Sequence, residues 1–239
     1  FGTNNFPDCS NMCHEPSGVA LGQQIGVGKG TVSLDDFEQA DLILVFGQNP
    51  GTNHPRMLGE LRSAVQRGAS VLAFNPLRER GLERFADPQD ALQMLHAGST
   101  RIASDYYQLR IGGDLAAVTG IIKHVLERGA QAHARGEPPL LDEAFIETHT
   151  EGFEALHASI AAADWATIEA QSGLGEARLR DAGERFLQAR RAIVCWGMGI
   201  TQHRRSVATI QMLVNLMLLG GHVGRPGAGI CPVRGHSNV

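Results

Sequence analysis

The 239-residue sequence is 43% hydrophobic and 19% charged, enough apolar material for a sizeable core in one large or two small domains. Lys and Arg number 21 against 25 Asp and Glu, a formal net charge of -4 with no basic run along one face, which argues against nucleic acid as a partner. The longest apolar stretches, near Asp41–Phe46 and Met212–Leu219, are too short to span a bilayer and no secretory pattern opens the chain, so no membrane partner and a cytoplasmic location are expected.

The amino end reads Cys9-Ser10-Asn11-Met12-Cys13-His14-Glu15-Pro16-Ser17, with a soft sulfur ligand next to an imidazole just ahead of a predicted helix. A helix N-terminus near Ser17 favours thiolate at Cys13, the form that binds a soft metal, and His14 is suited to moving protons near neutral pH. The plain alternative is a buried free thiol beside a surface histidine. Covalent haem attachment fits poorly, because three residues separate Cys9 from Cys13 where the attachment motif has two. Without secretory features, the four cysteines, Cys9, Cys13, Cys195 and Cys231, predict reduced thiols rather than a disulfide framework.

Next comes Gly26-Val27-Gly28-Lys29-Gly30-Thr31, which imitates a phosphate loop. Gly30 stands where Ser or Thr should follow Lys29, and Gln23 where the first glycine should be, so the run predicts a turn between two helices. Ser33 to Asp36 resembles a capping box. Leu42–Phe46, Ser70–Phe74 and Ala192–Trp196 are short apolar runs that predict buried strands, with Cys195 a core residue. Pro55 opens a predicted helix that runs to Gln66 and stops at Gly68. Further helices are predicted over Asp114–Glu127, Glu151–Ile160, Glu176–Ala189 and Ser206–Leu219. Arg128–Pro139 reads as a surface connection into a helical part from Leu140 to Gln171, so residues 129–175 are expected to form a helical subdomain within a single domain of residues 1–239. Strand-helix alternation of this kind predicts an α/β fold, a doubly wound, mainly parallel sheet with helices on both faces.

In such a sheet the ligand lies at the carboxyl ends of the strands. There the sequence places Gly47-Gln48-Asn49-Pro50-Gly51-Thr52-Asn53-His54-Pro55, a stiffened run of amide, hydroxyl and imidazole groups able to read a nucleotide. Asn75-Pro76-Leu77-Arg78 offers an amide and a guanidinium to ribose, base or phosphate. After Arg110-Ile111, Gly112 and Gly113 allow backbone N–H groups to approach a phosphate at a helix start, and Asp114 is placed to cap that helix or hold a ribose or base. Gly197-Met198-Gly199-Ile200-Thr201-Gln202 follows the last predicted strand. Any one of these loops is ordinary turn chemistry; their recurrence at successive strand ends implies a large dinucleotide-like ligand, with Cys13-His14 near its reactive end.

Together these residues resemble the molybdopterin-guanine-dinucleotide oxidoreductases, especially the formate dehydrogenase branch. Cys13-His14-Glu15-Pro16-Ser17 fits the family's metal-ligand element, Phe46 to Pro50 with His54-Pro55 its first loop, Trp196 to Gln202 its Trp-Gly-Met-Gly-x-Thr-Gln element, and Pro232 to Gly235 its Pro-Val-Arg-Gly element. The similarity runs in order from Asn4 to Val239. It implies one αβα cofactor-binding domain excised from a larger enzyme and inactive by itself. Its cofactor would be molybdenum bis(molybdopterin guanine dinucleotide), with an iron-sulfur cluster only outside this stretch. Carried over, Cys13 would ligate molybdenum, His14 would take or relay the substrate proton, and Arg234 would hold the carboxylate of a small anion such as formate. Gly47, Asn49, Thr52, His54, Asn75, Arg78, Gly112, Gly113, Asp114, Gly197, Met198, Gly199, Gln202 and Gly235 would bind cofactor. The remaining domains of the same enzyme and an electron-transfer partner are the implied partners.

The sequence departs from the family pattern in two places. The family's Asp-Pro-Arg nucleotide motif becomes Asn75-Pro76-Leu77-Arg78, losing a carboxylate and moving the arginine by one place. The region between Glu79 and Gln108 is also longer than in formate dehydrogenases proper, which points to a divergent subfamily. A non-catalytic dinucleotide-binding or assembly module is the competing class. A nicotinamide-dependent dehydrogenase is disfavoured, since no predicted strand runs into a complete Gly-x-Gly-x-x-Gly turn and position 202 is Gln.

Overall fold

Three uninterrupted apolar runs, LILVF, SVLAF and AIVCW, form the centre of the sheet in a computed structural model that describes residues 2–5, 9, 11–96 and 98–234. The strands are β1 (Leu42–Phe46), β2 (Ser70–Phe74), β3 (Arg84–Phe85), β4 (Thr100–Arg101), β5 (Asp105–Tyr107), β6 (Ala192–Trp196) and β7 (Gly229–Pro232). The first helices are α1 (Glu15–Ile25), α2 (Leu34–Phe37), α3 (Pro50–Asn53), α4 (Met57–Gln66), α5 (Arg80–Glu83) and α6 (Ala91–Leu95). They are followed by α7 (Asp114–Ala134), α8 (Glu143–His149), α9 (Phe153–Ala161), α10 (Trp165–Ser172), α11 (Glu176–Gln188), α12 (Met198–Thr201) and α13 (Ser206–Leu219). Among the described residues none of these helices is long and apolar enough to cross a membrane.

The main sheet has the order β5-β2-β1-β6-β7, and every neighbouring pair is parallel. Alternation along each strand sends side chains to two separate cores. Leu42, Leu44, Phe46, Leu72, Phe74, Val194 and Trp196 face the larger one, with α1, α7, α11 and α13. Ile43, Val45, Val71, Ala73, Ile193 and Cys195 face the other, with Phe37, Leu58, Leu61 and Leu82 from α2, α4 and α5. The sheet is therefore doubly wound, as the apolar runs predict.

Register brings three rings together at the carboxyl edge. Phe46 pairs with Phe74 and Phe74 with Tyr107, and the rings stack with centroids 4.2 and 4.5 Å apart. Each such contact adds roughly 0.5–1.5 kcal/mol beyond area burial and fixes the level from which the site loops leave the sheet. The Tyr107 hydroxyl donates to Asp181 Oδ2 at 2.6 Å; burial first, then that carboxylate, keeps its proton on.

Several boundaries differ from expectation for local reasons. The strand ahead of Gly112 is Asp105–Tyr107, not Arg110-Ile111, since Arg110 N instead donates to the Ser172 carbonyl. Arg128–Ala134 is not a connection but the end of α7; Ala-rich sequence carries the helix through Gly129, which lies under Leu141. The predicted helix from Pro55 begins at Met57, after the separate turn of α3. The helix predicted from Glu151 starts at Phe153 because Gly152, at φ 79°, forms its N-cap. Strand β7 and the β3–β4 pair were not predicted; Gly-Ile-Cys-Pro lacks a strand-like pattern, and β3 and β4 are two residues each. Gly26 at φ 75° closes α1, and Ser33 with Asp36 makes the capping box.

His222 follows α13 and is 3% exposed, edge-on to Phe186, with Nδ1 accepting from Arg225 Nη2 at 2.7 Å. Burial, then the Arg225 charge, lowers its pKa to about 4. Only the unfolded chain protonates this ring readily, so stability is constant above pH 6.5 and falls as the pH drops from 6.5 toward 4. Between pH 7.5 and 5 the loss from this group is about 2 kcal/mol. Urea unfolding at the two pH values should show His222→Gln losing about 2 kcal/mol less than the wild type; equal losses would remove His222 as a source.

Candidate cofactor and active site

The cavity at the carboxyl edge of the sheet has a volume of about 500 Å³. The loop after β1 contributes Gly47, Gln48, Asn49, Asn53 and His54; the segment after β2 contributes Asn75 and Glu79. Gly197, Met198 and Gly199 follow β6, Val233 and Arg234 follow β7, and Cys9, Met12, Cys13 and His14 close it from the amino end.

Backbone hydrogen bonds past the strand ends hold these loops level. Gly47 N donates to the Phe74 carbonyl at 2.9 Å, Gly197 N to Phe46 at 3.1 Å, and Val233 N to Trp196 at 2.9 Å. Gly199 N donates to the Gly47 carbonyl at 3.0 Å, and Gly47 has φ 53°. A Cβ on either glycine would strike the other's backbone, so the first and third loops can approach this closely only as glycines.

The Cys13-His14 segment is fastened from two sides. The Thr201 hydroxyl donates to the Cys13 carbonyl, and Gln202 Nε2 donates to the Met12 carbonyl at 2.7 Å. Inside, Ser17 Oγ lies 2.9 Å from His14 Nδ1 and accepts the Trp196 indole N–H at 2.9 Å. His14 is the N-cap of α1, and Ser17 lies in its first turn, so Trp196 on β6 fixes helix, serine and imidazole together. Ser17→Ala would leave the buried indole N–H without this acceptor and is expected to cost about 1–3 kcal/mol. Urea unfolding measures it; an unchanged stability would mean another group takes over.

Burial, then the Arg234 charge, lowers the His14 pKa to about 4, with His54 adding a smaller push and the Val233 backbone pulling the other way. The ring is therefore neutral near pH 7. Its Nε2 is buried and has no hydrogen-bond partner among the described residues; the same is true of Gln48 Oε1 and His54 Nδ1. Arg234 Nη2 donates to the Gly28 carbonyl at 2.7 Å. The glycine run near Gly28 is a turn packed on β7, where Thr31 N donates to Ile230, and it buttresses Arg234.

The cavity thus gathers Cys13, His14, Gly47, Asn49, His54, Asn75, Gly197, Met198, Gly199 and Arg234 from the predicted set. Thr52 is exposed and does not line it. Arg78 is exposed, paired with Glu83 at 2.9 Å and lying over the Tyr106 ring, so it too is outside. Gln202 braces Met12 rather than lining the space. Gly112 and Asp114 line a second cleft of about 180 Å³ with Ile200, His203, Arg204, Arg205 and Thr209, and Gly113 caps α7 beside them. Asp114 is 6% exposed; burial raises its pKa to about 6, and Oδ1 has no partner among the described residues. Gly235 lies outside the described residues.

Cys9, Met12, Gln48, Asn53, Glu79 and Val233 were missed as lining residues. Gln48 and Asn53 sat inside a loop already marked by its composition; Glu79 had no signal, because its position depends on how the chain turns after Pro76. Among the described residues no group of three or more His, Cys, Asp or Glu side chains could hold a metal ion.

Comparison with known proteins shows the family and the fold. The molybdopterin oxidoreductase family model matches residues 3–238. Protein YdeP of Escherichia coli K12 is 54% identical over 239 residues, all of this chain and 32% of that protein. An uncharacterized oxidoreductase of Mycobacterium tuberculosis is 46% identical over the whole chain and 30% of its own length. Formate dehydrogenase H of Escherichia coli K12 is 31% identical over 238 residues, 29% of its length. The chain therefore spans about a third of the curated relatives it matches. Acetylene hydratase from Pelobacter acetylenicus shares the fold with a TM-score of 0.74 at 21% identity, over 96% of this chain and 27% of that one.

Proposed function

Because the chain belongs to the molybdopterin oxidoreductase family, we propose that it is the portion of a larger formate-dehydrogenase-like enzyme that grips one guanine dinucleotide of a bis(molybdopterin guanine dinucleotide) cofactor. The proposed reaction is the two-electron oxidation of formate or a similar small anion. The observation that carries this reading is the meeting of Cys13, His14 and Arg234 in one cavity at the carboxyl edge of the sheet.

The lining residues fit such a group. Cys13 offers soft sulfur, the kind of donor that suits a soft metal. Gln48 Oε1, His54 Nδ1 and His14 Nε2 are buried polar atoms lacking partners within the described protein, and a polar ligand would satisfy them. Gly47, Gly197 and Gly199 leave backbone rather than side chains along one wall. In the second cleft, Asp114, with its own unpartnered oxygen, is suited to N–H or O–H donors.

When bound, the molybdenum–pterin group would supply the two-electron acceptor. The chain's own residues would bind and orient. The Arg234 guanidinium matches a carboxylate by two charge-assisted hydrogen bonds, and its anchor on Gly28 limits where that carboxylate can lie. His14 would accept a proton at Nε2 in the tautomer that donates Nδ1–H to Ser17, and its neutrality keeps that lone pair available near pH 7. The Trp196–Ser17 bond would hold the ring in place during the transfer.

Other domains would complete the cofactor cage and carry the electrons away. Dye reduction by the full-length protein, comparing formate with other small oxyanions, tests the assignment. Formate-dependent reduction supports it; metal-loaded protein that turns over none of them would favour a non-catalytic dinucleotide module.

A further inference from the structure

Strand β2 ends at Phe74, and in doubly wound sheets an acidic side chain near the end of the second strand commonly receives ribose hydroxyls. The first residue beyond this strand is Asn75, an amide. The chain then doubles back. Gln108 Nε2 donates to the Pro76 carbonyl at 2.9 Å. The Tyr106 hydroxyl donates to the Leu77 carbonyl and accepts from Glu79 N, the latter at 3.0 Å. This clamp brings Glu79, the only acidic residue among the described residues lining the main cavity, to the same strand end.

Glu79 is half-buried, and its Oε2 accepts from Asn49 Nδ2 at 2.8 Å. A carboxylate has acceptor capacity well beyond one bond. The neighbouring cation, Arg78, is instead paired with Glu83. A carboxylate held at the rim of a cavity with an amide beside it matches paired hydroxyl donors.

Resting on the dinucleotide reading above, we propose that Glu79 is a binding residue for that nucleotide, accepting the vicinal hydroxyls of its ribose in place of the carboxylate missing at position 75. The Asn75–Glu79 segment then has a role: it carries the acid from the strand end to the loop tip, where the Tyr106 hydroxyl holds it through Leu77 and Glu79 N.

The test uses the full-length protein from a cofactor-competent host. Guanine nucleotide released per chain on acid hydrolysis is measured before and after prolonged dialysis, for wild type, Glu79→Gln and Glu79→Asp. Glu79→Gln keeps an oxygen for Asn49 but removes the charge, and should lose nucleotide about 10-fold faster or more, with an unchanged urea midpoint. Glu79→Asp keeps the charge on a shorter arm and should fall between. Wild-type retention in Glu79→Gln overturns the proposal. Should Glu79→Gln fail to fold, retention by Glu79→Asp at the wild-type rate overturns it instead. Wild-type protein without guanine nucleotide would overturn the dinucleotide reading itself, and this inference with it.

Discussion

Replacing Cys13 with serine in the full-length protein is expected to lower substrate-dependent dye reduction by on the order of 10³-fold or more, about 4 kcal/mol of transition-state stabilisation, with little change in stability. The side chain lies in the cavity rather than in either core, and its backbone is held through its carbonyl by Thr201, so an oxygen of similar size disturbs no packing. What changes is donor softness: a hydroxyl is a poor substitute for thiolate toward a soft metal. The urea midpoint should match the wild type. A variant that retains activity within a few-fold would remove Cys13 from the metal and leave the free-thiol reading.

The second large effect is structural and reaches the site through the backbone. An alanine Cβ at Gly199 would lie 2.5 Å from the Gly47 carbonyl oxygen and 2.8 Å from its Cα, and neither atom can rotate away. Gly199→Ala must push the loop after β6 off the loop after β1 and break the 3.0 Å hydrogen bond between them. A cost of about 3 kcal/mol or more is expected, with loss of cofactor retention, because the same shift moves Met198 and the brace on Cys13. Gly59, inside α4 with nothing within 4 Å of an added Cβ, is the control. Gly59→Ala should stabilise by roughly 0.5–1 kcal/mol. Equal behaviour of the two variants in urea would show that the glycine contact is not required.

The sheet was legible where chemistry is local. LILVF, SVLAF and AIVCW are apolar throughout because both faces are covered, and a run of that kind declares itself without its neighbours. Strand β5 carries Asp105 among its three residues, and Asp105 is there because Arg178 and Arg185 pair with it from α11, a tertiary fact invisible in sequence. Strand β7 owes its place to the parallel register of Cys195 with Cys231 and to the Thr31 hydroxyl accepting from Ile230 N.

At the site, the residue types were readable and their division was not. Cys13, His14 and Arg234 line one cavity, but Gly112 and Asp114 line a separate cleft beside His203 and Arg205. Arg78, attractive as a phosphate ligand by type, is drawn to Glu83, and its neighbour Glu79 faces Asn49 instead. Long charged side chains choose partners after the backbone has turned, so spacing alone could not assign them.

On the proposed function, Cys13 supplies a sulfur ligand to molybdenum held by a guanine-dinucleotide pterin. X-ray absorption at the molybdenum edge of the full-length wild type and Cys13→Ser, prepared from a cofactor-competent host, tests it most directly. The wild type is expected to contain molybdenum with a sulfur-rich shell that loses a sulfur scatterer in the variant. Wild-type protein free of molybdenum, or an identical shell in both proteins, would contradict it.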